Sequence, residues 1–446
     1  MSDSQPSLKE RILYQPAPAR DDRSRMRQVM NNLVLHIHPT KVPKPALRFT
    51  YTWGLGGIST LLAMLMVVTG ILLMFRYDAS IDRAYTSIQY LETQVIFGSM
   101  LRSVHHWSAN LLIITAFLHL TRVFLTGGFK NGRGGNWLLG IVLLLVVVAF
   151  NFTGYLLPWD QLAFWAITVG TSLLGYIPII GPVINNLLLA GPEVGQGALR
   201  NFYAIHVAVL PAVFILLMSF HFWKVRKDGG ISQPKSEGRV EKVTTIPHLV
   251  QIELAAAIAV IAGLFLFAMA FPAPLEALAN PGHPPNPAKA AWYFMGLQEL
   301  LLHMHPLAAL IFPGLVLAGL AALPWWDKEG DDIGIYFRSA VGKKAAIIGV
   351  VLSLVLVPIL VLVDEFWLDL PSLLPFLPTM ISNGGIPLLL SFGGLAAIYL
   401  GLRRGLNANR SEALLGLFVF LMVSLVLLTV VGTLFRGANM ALVWPF

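Results

Sequence analysis

The stretch RSVHHWSANLLIITAFLHLTR, residues 102–122, sets three histidines into a run otherwise suited to hydrocarbon. A bilayer core of about 30 Å accommodates a helix of about 20 apolar residues, and this stretch has that length between its terminal arginines. Comparable runs lie near 54–76, 104–126, 137–157, 203–225, 250–270, 306–325, 344–364, 385–403 and 412–435. The chain is 56% hydrophobic and 12% charged, well outside the composition of a soluble domain. The reading is therefore an all-α polytopic membrane protein of about nine transmembrane helices. The runs are too long and too uniformly apolar for barrel strands.

Basic residues set the orientation. Arg20, Arg23, Arg25, Arg27, Lys41 and Lys44 precede the first run; Arg122, Lys130 and Arg133 follow the second; Lys224, Arg226 and Lys227 follow the fourth. Arg338, Lys343, Lys344, Arg403, Arg404 and Arg410 fall on the same side. The positive-inside rule then predicts a cytoplasmic N-terminus in a cytoplasmic (inner) membrane. The net charge of +8 is thus mostly topology, directed at anionic membrane lipids rather than nucleic acid. No apolar stretch with a cleavage site opens the chain, so no removable signal peptide is expected. There is no cysteine, which excludes disulfides, iron–sulfur ligation and thioether-linked haem on this chain.

Five histidines fall within predicted spans: His105, His106, His119, His206 and His221. Ionisable groups at that depth are expensive and point to function. His105 and His119 are 14 residues apart, and His206 and His221 are 15 apart. On a helix these spacings are about four turns less 40° and about four turns plus 60°, so each pair keeps to one face about 21–22 Å apart along the axis. The second and fourth spans run in the same direction, so His105 is expected to meet His206 at the outer level and His119 to meet His221 at the inner level. Two facing imidazoles without a nearby carboxylate suit bis-histidine haem iron better than zinc. His106 is turned about 140° from His119 and reads as an interfacial residue near a propionate. The plain alternative is a set of buried hydrogen-bonding histidines.

The flanking spans repeat the interval with glycines: Gly56 and Gly70 in the first, Gly140 and Gly154 in the third. Glycine permits close approach, here of a macrocycle, although small residues also serve ordinary helix packing. Arg102 and Arg122 bracket the second span and are candidates to pair with propionates or simply to anchor the helix. The organisation expected is a cytoplasmic segment 1–53, a four-helix diheme domain 54–226, a polar linker 227–245, and a C-terminal membrane domain 246–446. Two long loops, 158–202 and 271–302, lie on the outer side and are long enough to suggest function.

Three segments carry a resemblance: RSVHHWSANLLIITAFLHLTRVFLTGGFK, FNFTGYLLPWDQLAFWA and NFYAIHVAVLPAVFILLMSFHFWKVRKDGGIS. Together they resemble the diheme cytochrome b of quinol-oxidising bc-type complexes, and the 15-residue gap resembles the cytochrome bf branch. The second half is similar to that branch's companion subunit, here fused, through about residue 364. The resemblance implies two haems b, held by His105/His206 and His119/His221. It also implies quinol oxidation at the outer face, quinone reduction at the inner face, a Rieske iron–sulfur partner, a cytochrome c-type acceptor, and a homodimer within a respiratory multi-subunit complex.

Two departures from that pattern matter. The family's P-E-W-Y signature stands here as Ala290-Ala291-Trp292-Tyr293, so its carboxylate is missing. Glu299 is the nearest replacement, expected to have a raised pKa at an apolar edge and to accept a quinol proton, with Trp292 and Tyr293 lining the quinol site. The bf branch attaches an extra haem through a cysteine whose aligned position is Gly54 here, so no covalently attached haem is expected. For the inner quinone site the candidates are Arg226, Lys227, Asp228, His36 and His38, with a solvated basic face as the alternative. The last two spans, joined by GLRRGLNANR, are expected to dock a partner subunit. Rival readings are a diheme membrane anchor of a quinone-linked dehydrogenase without bifurcation and a histidine-relay transporter.

Overall fold

A computed structural model describes residues 21–445 apart from 33, 34, 36, 37, 237, 239 and 329. Arg20 and His36 lie outside the described residues. Among the described residues, nine helices are long and apolar enough to cross a bilayer: Leu55–Met74, Gly98–Leu125, Gly134–Tyr155, Gln196–Asp228, Thr245–Ala270, Pro306–Trp326, Ala340–Phe366, Ile381–Gly405 and Arg410–Leu434. They are called the first to ninth spans here. All nine agree with the apolar runs, because backbone groups in hydrocarbon must be paired within the segment.

The first span packs along the second, the third along the fourth, and the fifth against the second. Leu62, Val104, Leu112, Val147 and Leu264 form a shared apolar core where the first, second, third and fifth spans meet. At the inner end, Phe124 stacks on Phe418 with ring centroids 3.9 Å apart, joining the second span to the ninth. Around it Phe129, Trp137 and Leu323 bring in the third and sixth spans.

The ninth span is internal to the chain. It lies along the seventh, where a Cβ on Gly349 would come within 2.4 Å of the Gly416 carbonyl oxygen, a backbone approach that only small residues allow. It also packs against the eighth span and the short helix Met295–His303. Within the chain the ninth span thus packs against the seventh, the eighth and Met295–His303, while Val426 and Leu434 remain exposed.

Buried charges fasten the inner end. Lys130, 1% exposed, reaches Asp327 at 3.1 Å and Asp332 at 3.0 Å, and its ammonium also donates to the Ser411 hydroxyl at 2.8 Å. Arg338 pairs with the same Asp327 at 2.8 Å. The loop after the second span is thereby tied to the sixth span and to the start of the ninth. A two-stranded antiparallel ribbon, β1 (Lys41–Pro43) with β2 (Lys242–Thr244), joins the N-terminal segment to the end of the polar connection.

At the outer end the two long loops are tied by one short motif. Asp160 caps the helix Gln161–Ser172 through the Ala163 N–H at 2.9 Å, and its other oxygen accepts from the Glu276 N–H at 3.1 Å. Gln161 extends the tie, its N–H donating to Ala277 O at 2.7 Å and its side-chain oxygen accepting from Asn280 N–H at 2.6 Å. Burial raises the Asp160 carboxyl above the ordinary range. These ties place both loops over the outer ends of the second and third spans.

Candidate functional site

The second and fourth spans bring the histidines together in two levels. At the outer level the rings of His105 and His206 face each other with centroids 6.4 Å apart and planes at 69°. Two metal–nitrogen bonds of about 2.0 Å, with each nitrogen about 1.1 Å from its ring centre, would separate the centroids by about 6.2 Å. The pair therefore fits one iron. Among the described residues no group of three or more His, Asp or Glu side chains is placed to hold a metal; two imidazoles would suit a haem iron better than a four-coordinate zinc.

Both outer rings are held from behind. Thr69 Oγ1 lies 2.8 Å from His105 Nδ1, and Thr153 Oγ1 lies 3.1 Å from His206 Nδ1. The glycines beside these threonines seat the rings: a Cβ on Gly70 would meet His105 Cε1 at 3.3 Å, and one on Gly154 would meet His206 Cε1 at 2.7 Å.

The inner level repeats the seating without the hydroxyls. Gly56 lies against His119, where a Cβ would meet Cε1 at 3.2 Å, and Gly140 lies against His221 at 3.9 Å. The four glycines thus receive the imidazole edges themselves, a more local job than the expected clearance for a macrocycle. His221 Nδ1 is buried without a hydrogen-bond partner. So is Nε of Arg122, whose guanidinium lies over the Tyr51 ring at 4.8 Å and donates to the Ile231 carbonyl. A buried, unsatisfied cationic donor beside this level fits a propionate.

A π-helical turn at Ile205–Val209 explains the unequal spacings. Such a turn takes up one extra residue, so the 15-residue gap from His206 behaves as 14 and the two pairs come into the same register. The expected offset of about plus 60° is thereby corrected. His106 packs edge-on against Trp107, centroids 4.8 Å apart. Arg102 takes the anchoring alternative: its Nε donates to Glu92 at 2.6 Å and its Nη2 to Ala273 O at 2.6 Å and Pro274 O at 3.1 Å. It is engaged in holding the outer loop, and a propionate would have to displace those partners.

The family model described as cytochrome b/b6/petB matches residues 41–229. Cytochrome b6 of Tupiella akineta is 43% identical over 180 residues, covering 40% of this chain and 83% of the relative. Cytochrome b6 of Synechococcus sp. (strain CC9902) is 40% identical over 195 residues, covering 44% of this chain and 88% of the relative. The chain belongs to the cytochrome b family. Membership makes it an integral membrane redox subunit that binds haem b. A chain of a hyperthermophilic respiratory Complex III aligns with a TM-score of 0.64 at 20% identity, covering 91% of this chain and 95% of that one. This likeness concerns the fold, and it extends beyond the family match into the C-terminal half.

In this cytochrome b the outer edge is closed by the segment Ala290–Tyr293. Trp292 Nε1 donates to Asn110 Oδ1 on the second span at 2.6 Å, and Tyr293 packs on the core shared by the first, second, third and fifth spans. Burial, with Tyr155 beside it, raises the Tyr293 phenol above its ordinary value. Gln298 clamps the segment, accepting from Ala290 N–H and donating to Ala288 O, both at 2.7 Å.

Glu299 is fully buried, but it is not an isolated acid. Arg436 donates to it from Nη2 at 2.6 Å and from Nε at 3.1 Å, and also holds Glu365 at 2.7 Å. His303 bridges Glu299 at 3.2 Å to Asp364 at 2.6 Å. Burial by itself raises the Glu299 pKa, but the hydrogen bonds from His303 and Arg436 outweigh it and hold the carboxyl below its ordinary range. The expected raised value is therefore corrected. Burial lowers His303, and its two carboxylate partners more than offset that, so its pKa is raised. Arg436, Asp364 and Glu365 had no local signature in the sequence, since they reach Glu299 and His303 from two other segments; His303 had one, standing four residues after Glu299 on the same helix. Thr69 and Thr153 had one: each immediately precedes a seating glycine.

At the inner face, Lys224 pairs with Asp228 at 2.8 Å, Lys227 lies over Trp223 at 4.7 Å, and His38 contacts Glu253 at 3.1 Å. The Glu253 hydrogen bond raises His38 above the ordinary imidazole range. Lys227 and Asp228 end the same helix as His221, one level below the inner pair.

Proposed function

We propose that this chain is the diheme subunit of a bc-type quinol:cytochrome c oxidoreductase, oxidising quinol at the outer face and passing one electron inward to a quinone site. The observation that carries the reading is the facing His105–His206 pair, with His119 and His221 seated on glycines one level further in on the same two spans. Haem bound between His105 and His206, and between His119 and His221, would supply a one-electron carrier at each depth. The chain's own part is to fix four rings by glycine seats and outer-level hydroxyls, to exclude water with the apolar core, and to offer Arg122 to a carboxylate substituent at the inner level.

Trp292 and Tyr293, held by Asn110 and Gln298, form the wall of the outer quinol pocket in this reading. With Ala291 where the family signature has an acid, the outgoing proton is assigned to the Glu299–His303–Asp364 chain. Glu299 stays ionised beside Arg436, so the resting proton sits on His303, between two carboxylates and next to the outer surface. Lys227, Asp228, Arg226 and His38 are the candidates at the inner quinone site. The partners proposed are a Rieske iron–sulfur protein, a cytochrome c-type acceptor and a second copy of the chain, in a cytoplasmic membrane with the N-terminus inside. With Gly54 in place of the branch's cysteine, no covalently attached haem is assigned.

A reduced-minus-oxidised spectrum of the purified protein, with haem extraction, should give two b-type haems per chain. An outer-site quinol inhibitor should block their reduction by quinol. One haem, or reduction that ignores such an inhibitor, would favour a membrane anchor without bifurcation.

A further inference from the structure

The two imidazole levels share ligands, helices and glycine seats but differ in what stands behind the rings. At the outer level each Nδ1 faces a threonine hydroxyl whose own proton is already engaged. Thr69 donates to Leu65 O at 2.7 Å, and Thr153 donates to Ala149 O at 2.8 Å. A hydroxyl has one proton, so toward the imidazole each threonine must accept. Nδ1 therefore carries the hydrogen, and Nε2 is left with its lone pair for a metal.

At the inner level the residues preceding the seating glycines are Leu55 and Leu139. The hydroxyls nearby are paired elsewhere, Ser59 donating to Leu55 O at 2.9 Å and contacting Thr115 at 3.0 Å. His221 Nδ1 is left with no acceptor.

We propose that Thr69 and Thr153 are positioning residues that lower the reduction potential of the outer iron site below that of the inner one. The inference rests on the two-haem reading above. A hydrogen bond from Nδ1 makes the imidazole a stronger donor through Nε2, which favours ferric over ferrous iron. Only the outer level has this bond on both ligands. Electrons entering at the outer face then move inward to the site of higher potential, so the direction of transfer is built into two Thr-Gly steps, Thr69-Gly70 and Thr153-Gly154.

The test is a redox titration of the intact purified complex, following the b-type absorption bands and the electron paramagnetic resonance signals of each haem. T69V and T153V keep side-chain shape and remove the acceptor. Each should weaken the outer site's ferric preference about threefold to tenfold, a tenfold change being about 59 mV upward for one electron, with the inner site unmoved. T69S and T153S should restore the original value. L139T, which puts a hydroxyl at the matching inner position, should lower the inner potential. Both haems bound with an unmoved outer potential in the valine variants would overturn the proposal. If those variants lose the outer haem, L139T still decides, and an unmoved inner potential overturns it. An unsubstituted protein lacking two b-type haems would instead defeat the functional reading itself.

Discussion

The four-span half and the C-terminal half solve the same packing problem differently. Lipid tails are as apolar as leucine, so helices in a membrane gain little from hiding apolar faces and need other contacts to specify an arrangement. In the first half the contacts are small-residue seats, hydroxyls and imidazoles that a bound group would complete. In the second half they are ion pairs: Asp327, Asp332 and Arg338 at the inner end, which also take in Lys130 from the first half, and Glu299, Arg436, Glu365, His303 and Asp364 at the outer end. The cofactor half keeps Arg122 Nε and His221 Nδ1 buried without a partner, while at the outer edge of the other half Glu299, Arg436, Glu365, His303 and Asp364 pair among themselves and so brace it.

The sharpest way to break the comparison is H206L. It should remove the outer haem completely while the inner haem and the C-terminal ion networks persist, halving the haem extracted per chain. Next is R436L, which strands Glu299 and Glu365 without a cation. Breaking a buried pair costs about 3–5 kcal/mol, read as lower thermal stability of the purified protein, with the b-type spectrum of the surviving fraction unchanged. A smaller contrast lies inside the first half. G154A drives a methyl to 2.7 Å from the His206 ring and should displace the outer haem, whereas G140A leaves 3.9 Å at His221 and should retain the inner one; difference spectra separate the two outcomes.

E299Q addresses the braced edge. Quinol oxidation should slow by about tenfold, at the low end for loss of a group serving proton transfer, with both haems bound; an unchanged rate would remove Glu299 from the proton route. The smallest effect is on pH dependence. His303 has a raised pKa in the fold, so its ion-pair contribution is complete below the ordinary imidazole range and is lost as pH rises through the raised value. Melting temperature should fall across that window in the parent and stay flatter in H303Q. The groups facing His303 are Glu299, itself paired with Arg436, and Asp364. A parent curve as flat as the variant's would show that the bridge adds nothing to stability.

What the sequence determined by itself is what local chemistry dictates. Twenty apolar residues in a row must be a helix in lipid, and basic ends orient it. His105 and His119 at four-turn spacing must share a helix face, as must the glycines that repeat the interval. The Thr-Gly steps were equally visible but silent, because nothing local says which atom a threonine hydroxyl faces. Tertiary structure alone decided three things. The π-helical turn after His206 brought a 15-residue gap into register with a 14-residue one, an adjustment that periodicity cannot foresee. Arg436, arriving from beyond the ninth span, joined the neighbouring His303 on Glu299 and reversed the direction of its pKa, because burial raises a carboxyl only until its cationic partners outweigh the desolvation. And Arg102 and Arg122, alike as flanking charges, were separated by what reached them: a folded-back loop filled the first with carbonyls, and the second kept one donor free.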